Sequence, residues 1–418
     1  MLVLALLGLT AAVRGEPPPA LPTTAPAATS GDLDDPYRVF LLTIGPGREV
    51  YSLFGHNALL IVNTRTGAEV AYNWGVFDFN QPNFIGRFIL GRMLYRLEAF
   101  DARLMLAQYL QEQRGVRLAE LKLSPAQKRR LVQFCLDNDT PENRDYRYDY
   151  YLDNCSTRVR DALDHATAGQ LAAALRPLPA EPPATFRWHT DRLTRPLPWL
   201  YLSLHYILGS PVDRPLSRWD ESFLPRYLEQ HLATLDVAWE DGTRHALLGP
   251  ATTLVPFDRY PEPGAPPDWR LPALAVSLLL SAALLLLAWW PSRLGRGLPS
   301  LGVLAWAALC TVAGGLSTFG WLMTDHIVSR YNENWLQLNP LSLPLVAAAA
   351  CLLLGRKPRW ARPAAAVPVT LSLAALPLQP FLTQPNQLIL LIAVPLHLAA
   401  YLAVRRLTAA PRTPETTA

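Results

Sequence analysis

The chain has 418 residues, of which 50% are hydrophobic, and its formal net charge is +4 at pH 7. This length allows a domain with its own core together with a membrane region. Charged residues concentrate before about residue 270, the small positive charge owes much to arginines beside apolar stretches, and no basic stretch is interleaved with aromatic residues. The composition therefore argues for a membrane protein and against a partner that is a nucleic acid.

The first 34 residues divide into two short segments. Met1–Val13 is an apolar run that is too short for a comfortable membrane span and has no basic residues before it. We predict a signal-like or anchor segment over residues 1–15, followed by a flexible linker rich in Pro and Ala over residues 16–34.

Residues 35–265 are predicted to form a separate α+β domain with a small antiparallel sheet. Alternating or buried apolar runs predict strands at Arg38–Thr43, His56–Val62, Glu69–Trp74, Val116–Leu123 and Tyr146–Leu152. Capping residues and apolar periodicity predict helices at Asp101–Gln113, from Pro125 onward and at Cys155–Ala168. Prolines between Pro261 and Pro267 mark the end of this domain.

Residues 270–406 are predicted to form an all-α transmembrane domain of five spans. These spans are Leu271–Trp290, Leu301–Met323, Leu341–Leu354, Ala364–Leu382 and Leu388–Val404. The loop cations all fall on one side: Arg293, Arg296, Arg356, Lys357, Arg359, Arg362, Arg405 and Arg406. The positive-inside rule makes that side cytoplasmic and puts residues 31–270 outside.

Two side chains could carry thiol chemistry. Cys155 follows an aromatic segment and begins a predicted helix, and a helix N-terminus lowers the pKa of a thiol. His56 begins an apolar strand and could accept the thiol proton. A lone cysteine at a helix start and a lone histidine beside a strand are more often structural than catalytic, so the residue types alone leave both interpretations open.

Other sites in the sequence are weaker candidates. There is no G-x-S-x-G motif, and the remaining histidines lack paired metal-ligand spacing, so neither a metal nor another cofactor is expected. His326 follows the second span at its outer face. It is either a polar cap at the membrane interface or a residue on the path of a substrate.

Several motifs resemble the Lnb N-terminal periplasmic domain family over roughly residues 35–260. The motifs are Phe54-Gly-His56, Ala71-Tyr-Asn-Trp-Gly-Val-Phe-Asp-Phe79, Pro141-Glu-Asn-Arg144, Tyr148-Asp-Tyr-Tyr-Leu-Asp-Asn-Cys155-Ser-Thr-Arg-Val-Arg-Asp161, Asp213-Arg-Pro and Phe223-Leu-Pro. The Asn154–Arg158 segment is the most specific of them.

The resemblance implies a fold and residue roles. The family is similar to circularly permuted NlpC-type papain-like enzymes and to lecithin–retinol acyltransferase-like enzymes, in which the histidine strand precedes the cysteine helix. It implies that Cys155 is the nucleophile and His56 its base. Asn73 would orient the imidazole, with Tyr72 as the alternative. The predicted supporting or substrate-binding residues are Tyr72, Asn154, Arg158 and His326.

The expected function is that of a membrane-bound cysteine acyltransferase. In this interpretation a fatty acyl group passes from a phospholipid donor, through a Cys155 thioester, to an amine such as the N-terminus of a bacterial lipoprotein. The protein would be a multi-pass protein of the bacterial inner membrane, with residues 31–270 in the periplasm. Two alternatives remain open, a periplasmic cysteine peptidase or amidase acting on peptidoglycan peptides and a non-catalytic membrane sensor.

Overall fold

The computed structural model describes residues 35–290 and 297–409. The predicted segments 1–15 and 16–34 and the loop cations Arg293 and Arg296 lie outside this part of the chain. The described residues form two compact units. The first runs to Pro196 and continues over Pro215–Ala265, and the second contains Leu197–Arg214 and the residues after Pro266. Leu197–Arg214 thus group with the second unit, whereas the sequence prediction placed them in the first domain.

A seven-stranded antiparallel sheet organises the first unit. Its strands are Tyr37–Ile44 (β1), His56–Asn63 (β2), Ala68–Val76 (β3), Leu94–Asp101 (β4), Val116–Leu121 (β5), Asp145–Arg147 (β6) and Leu248–Val255 (β9). Their order across the sheet is β6-β4-β3-β2-β1-β5-β9. Asp236–Ala238 (β7) and Arg244–Ala246 (β8) form a separate hairpin.

Nine helices accompany these strands in the described part of the chain up to Ala265. They are Phe84–Leu90 (α1), Ala102–Gln111 (α2), Pro125–Asn138 (α3), Cys155–Ala166 (α4), Gln170–Leu175 (α5), Phe186–Thr194 (α6), Pro198–Ile207 (α7), Arg218–Glu221 (α8) and Pro225–Leu232 (α9). Of these, α7 belongs to the second unit. The predicted cap at Ser124 is present, because its side chain accepts a hydrogen bond from the Gln127 N–H at 3.1 Å.

The central strands are apolar on both faces because helices cover both. On one face Leu41, Leu59 and Trp74 share a core with Val159 and Leu163 of α4. On the other face the sheet packs against α2 through residues such as Met105. The register pairs Ile44 with His56, so the histidine stands at the end of the β1–β2 ladder, at the edge of both cores.

The predicted strand Tyr146–Leu152 is wrong beyond Arg147. The Asp149 carboxylate accepts hydrogen bonds from the N–H groups of Tyr151 and Leu152, both at 2.9 Å. This side chain turns the backbone before Cys155, and a carboxylate that bonds nearby backbone donors competes with strand pairing in just this way. The alternating aromatic residues therefore line a turn and not a longer strand.

The second unit is helical. Its helices after Pro266 are Arg270–Trp289 (α10), Gly297–Leu322 (α11), Leu343–Leu353 (α12), Ala361–Leu378 (α13) and Gln387–Thr408 (α14). Within the described residues, four helices are long and apolar enough to cross a membrane. A fifth span results if Ile327–Leu336 and Pro340–Leu353, bent by 42°, act as one. The expected architecture, an α+β domain followed by a helical region with apolar spans, is confirmed at this level. The orientation in the membrane stays a prediction.

Candidate active site

His56 is positioned by the turn that begins β2. Gly55, immediately before it, has φ of +79°, and a Cβ there would stand 2.7 Å from the carbonyl oxygen of Ile44. Only glycine fits this conformation and this close approach without strain. The turn places His56 at the first position of β2, partly exposed, while the residues that follow it are buried.

Cys155 is positioned as the first residue of α4. The Asn154 side chain caps the helix by accepting hydrogen bonds from the N–H groups of Ser156 and Thr157, both at 2.9 Å. The Asn154 amide also donates to the carbonyl of Phe223 at 3.0 Å, so the cap is tied to a neighbouring segment. Neither capping bond uses the Cys155 N–H, which therefore stays available at the positive end of the helix.

The three predicted catalytic side chains are brought together. His56 bonds through Nε2 to Asn73 Oδ1 at 3.0 Å, and its imidazole also hydrogen-bonds the Cys155 side chain. Because Nε2 is engaged by Asn73, the other ring nitrogen, Nδ1, is left for the thiol. Cys155 and His56 are both partly exposed residues.

The orientation of the Asn73 amide is fixed by its own surroundings. Its Nδ2 donates to Met105 Sδ at 3.0 Å and to the carbonyl of Ala71 at 3.5 Å. Since the amide nitrogen faces two acceptors, its oxygen faces the ring and accepts a hydrogen bond from Nε2–H. This assigns Nε2–H to the neutral imidazole and leaves Nδ1 as the basic nitrogen.

The electrostatics of the pair favour the ion pair of thiolate and imidazolium. Burial raises the pKa of Cys155, but the charge of His56 and hydrogen bonds from His56 and the Asn57 backbone outweigh it, and the pKa lies below its ordinary 9.0. For His56, burial lowers the pKa, yet the Cys155 thiolate and the bonds to Cys155 and Asn73 leave it above 6.5. These opposite shifts are those of an activated cysteine nucleophile.

A second contact ties the histidine strand to the cysteine helix. Asn57 is fully buried, and its Oδ1 accepts a hydrogen bond from Ser156 Oγ at 2.8 Å. Its Nδ2 donates to the carbonyl of Leu42 at 3.1 Å and to Thr43 Oγ1 at 3.2 Å. Sequence reasoning missed this bridge, although a polar residue inside an otherwise apolar strand next to His56 was a visible signal.

Gly75 and Tyr146 were also missed, and both lie beside Cys155. Gly75, where the β3–β4 register shifts, has φ of +92°. A Cβ on Gly75 would lie 3.4 Å from Cys155 Cβ and 3.8 Å from the Tyr146 hydroxyl. The missing side chain at this bulge leaves a small space flanked by the nucleophilic residue and a phenol.

The other predicted site residues have different positions. Tyr72 is buried on the other side of β3, where burial and then the nearby Cys135 and Asp139 raise its pKa to about 12. Asn73, not Tyr72, therefore contacts the imidazole. Arg158 forms an ion pair with Asp153 and lies 4.1 Å over the Tyr146 ring. His326 belongs to the second unit, whereas His56, Asn73 and Cys155 belong to the first.

Among residues 35–290 and 297–409, no group of three or more His, Cys, Asp or Glu side chains is arranged to hold a metal ion. Cys135, the other thiol of this domain, is buried in the core, and burial raises its pKa well above the ordinary value. The two cysteines thus differ in both access and ionisation.

The family model of the Lnb N-terminal periplasmic domain matches residues 26–192, a range that contains His56, Asn73 and Cys155. The resemblance indicated by the motifs is thereby confirmed over these residues, while the motifs Asp213-Arg-Pro and Phe223-Leu-Pro lie beyond the match. No curated protein and no solved structure matches the chain. Together with the apolar helices, the match indicates a membrane protein with a periplasmic segment.

Proposed function

Residues 26–192 belong to the Lnb N-terminal periplasmic domain family, and from this premise we propose that the protein is a membrane-bound cysteine acyltransferase. It takes a fatty acyl group from a phospholipid and transfers it to an amine, through a thioester on Cys155. The observation that carries the proposal is the hydrogen-bonded series Cys155–His56–Asn73, together with the four or five apolar helices among the described residues. The amine of a bacterial lipoprotein N-terminus is the acceptor we favour.

The first half-reaction forms the thioester. The Cys155 thiolate attacks the carbonyl carbon of a phospholipid ester, and the tetrahedral oxyanion is stabilised by the Cys155 N–H at the start of α4. Collapse of the intermediate breaks the ester C–O bond. The His56 imidazolium gives its Nδ1 proton to the departing alkoxide, so a lysophospholipid leaves and neutral His56 remains.

The second half-reaction releases the acyl group. A neutral amine attacks the thioester carbonyl while His56 Nδ1 accepts a proton from the attacking nitrogen. The C–S bond then breaks, an amide forms, and the thiolate–imidazolium pair is restored. Throughout both halves, Asn73 keeps Nε2 protonated and the ring in one orientation.

The proposed setting is the outer face of a bacterial inner membrane. The apolar helices would hold the domain at a lipid surface, close to lipid substrates. An enzyme that acts on peptidoglycan would need at most one membrane anchor, so several apolar helices favour the lipid substrate. The chain order, with the histidine strand His56–Asn63 before the helix Cys155–Ala166, supports assignment to the permuted papain-like fold.

The thioester step can be tested with the full chain reconstituted in vesicles of phospholipid with a radiolabelled acyl chain. We expect label on the protein that hydroxylamine removes, and none on the Cys155→Ala variant. Cys135→Ala is the matched control, since it removes a buried thiol of the same domain and should keep the label. Equal labelling of the wild type and Cys155→Ala would overturn the proposal.

The acceptor is tested by adding a diacylglyceryl-modified lipopeptide with a free N-terminal amine and following its mass. Gain of one acyl chain, dependent on Cys155, supports acyl transfer to an amine. If the protein instead hydrolyses muropeptides and never carries label, the peptidase or amidase interpretation replaces ours.

A further inference from the structure

The Tyr146 hydroxyl is buried and has no hydrogen-bond partner among the described residues. Tyr146 as a whole is 8% exposed, so water does not easily supply the hydrogen bond that the hydroxyl lacks. Neighbouring tyrosines differ: the Tyr151 hydroxyl bonds Thr190 Oγ1 at 2.7 Å, and the Tyr150 hydroxyl donates to Met93 Sδ at 3.2 Å. A buried polar group without a partner destabilises a fold, so its presence in a well-packed core requires a reason.

The hydroxyl points to the space beside the nucleophile. It lies 3.8 Å from the position that a Cβ on Gly75 would occupy, and Cys155 Cβ lies 3.4 Å from the same position. The Cys155 backbone nitrogen is 3.9 Å from it. The gap left by Gly75 is therefore bordered by the nucleophilic residue, by the helix-start N–H and by a phenol donor.

The ring that carries the hydroxyl is held in place. Tyr146 pairs with Tyr95 in the β4–β6 ladder, and the Arg158 guanidinium lies 4.1 Å over its ring. Arg158 is itself anchored by Asp153, with one oxygen at 2.6 Å. A donor that is fixed before the reaction costs no reorganisation when charge develops.

The hydroxyl also keeps its proton at neutral pH. Burial and then the charge of Cys155 raise the pKa of Tyr146 well above its ordinary 10.0. Tyr146 is thus a hydrogen-bond donor throughout the pH range in which the Cys155 thiol ionises, and it does not compete with His56 for the thiol proton.

We propose that Tyr146 is a catalytic residue whose hydroxyl donates a hydrogen bond to the tetrahedral oxyanion, together with the Cys155 N–H. This inference rests on the proposed acyl chemistry at Cys155 and names the second donor that such chemistry requires. The carbonyl oxygen would turn into the space beside Gly75 as it gains charge. The hydroxyl retains its proton, so no bond to hydrogen is broken at Tyr146 during the reaction.

The test compares Tyr146→Phe with the wild type in two reactions. In the first, a p-nitrophenyl ester acylates Cys155 through a tetrahedral intermediate, and the burst of p-nitrophenol reports the rate. Loss of one oxyanion donor is expected to slow this burst about 10²–10³-fold. In the second, iodoacetamide alkylates Cys155 by displacement at carbon without an oxyanion, so its rate and pH midpoint should stay unchanged.

Tyr151→Phe is the matched control. It deletes an equally buried hydroxyl, but one that has a partner in Thr190. We expect Tyr151→Phe to lower the melting temperature and keep the burst rate. Tyr146→Phe should keep or raise the melting temperature and lose the burst, because the phenyl ring and its contact with Arg158 remain.

Three outcomes would overturn the inference. They are an equal burst for Tyr146→Phe and the wild type, a parallel loss in the control, or a shifted midpoint of alkylation, which would make Tyr146 a donor to the thiolate. Failure of the proposed function is seen separately. If the wild type reacts with the nitrophenyl ester but takes no acyl group from phospholipid, the role of Tyr146 as an oxyanion donor stands and phospholipid is excluded as the acyl donor. A wild type that reacts with neither overturns both.

Discussion

Two clusters in the first unit each contain a hydrogen-bonded histidine, but the clusters differ in exposure and in the chemistry of the histidine's partner. In one, His56 contacts the Cys155 thiol and the neutral amide of Asn73, and the residue is partly exposed. In the other, Glu221 accepts bonds from His189 at 3.0 Å and His231 at 2.9 Å. His189 and Glu221 are both almost completely buried, with exposed fractions of 0% and 1%.

The difference shows what separates a reactive histidine from a structural one. Burial lowers the pKa of His189 even though Glu221 opposes this, and Arg192 donates to its Nδ1 at 3.1 Å. Both ring nitrogens of His189 are thus engaged, by a carboxylate and by a guanidinium. At His56 burial also lowers the pKa, but the charge of Cys155 and the bonds to Cys155 and Asn73 outweigh it and raise the pKa, and the partner is a thiol. Access and the identity of the partner, more than burial of the ring, mark the candidate active site.

Replacing the histidine of the reactive cluster should have the largest effect on chemistry. In His56→Ala the thiol loses the charge that lowers its pKa, so alkylation by iodoacetamide at neutral pH should slow and its midpoint should move up toward or beyond 9.0. Loss of the imidazolium that protonates the departing alkoxide should reduce thioester formation about 10²–10⁴-fold. An unchanged pH profile of alkylation would show that His56 does not activate the thiol.

Breaking the structural cluster should do the reverse. Glu221→Ala removes the hydrogen-bond acceptor of two buried histidines, and each buried donor left without its partner costs about 1–3 kcal/mol of unfolding free energy. Chemical denaturation should reveal this loss, while the pH midpoint of Cys155 alkylation in the folded protein stays where it is. A shift of that midpoint would mean that the two clusters are coupled, and the comparison would fail.

Asn73→Ala sharpens the comparison by removing only the orienting group. The imidazole keeps its thiol partner but loses the bond that fixes Nε2, and a misplacement of about 1 Å costs about 10²-fold in rate. Since the bond to Asn73 also raises the pKa of His56, the basic limb of the pH–rate profile should move to lower pH. Asn73→Asp, which retains an acceptor for Nε2, should recover part of the rate.

The sequence predicted the elements that carry His56, Asn73 and Cys155 but not the position of Tyr146 beside Cys155. Apolar runs located the strands that carry His56 and Asn73, and helical periodicity located the helix that begins at Cys155. The Tyr146 position depends on the bulge at Gly75 and on β4, a strand with charged residues that apolar patterning did not find. Contacts of this kind follow from the register of paired strands, which local periodicity does not determine.

The Asn57–Ser156 bridge should give the smallest change in rate. Ser156→Ala leaves the fully buried Asn57 oxygen without its donor, which costs about 1–3 kcal/mol of stability. The Ser156 side chain also contributes to lowering the Cys155 pKa, although less than His56 does. Removing it should therefore raise the alkylation midpoint slightly, in the same direction as His56→Ala but by less. If Ser156→Ala raised the midpoint as far as His56→Ala, the helix start and not the histidine would be the main source of thiol activation, and the contrast between the two clusters would need a different explanation.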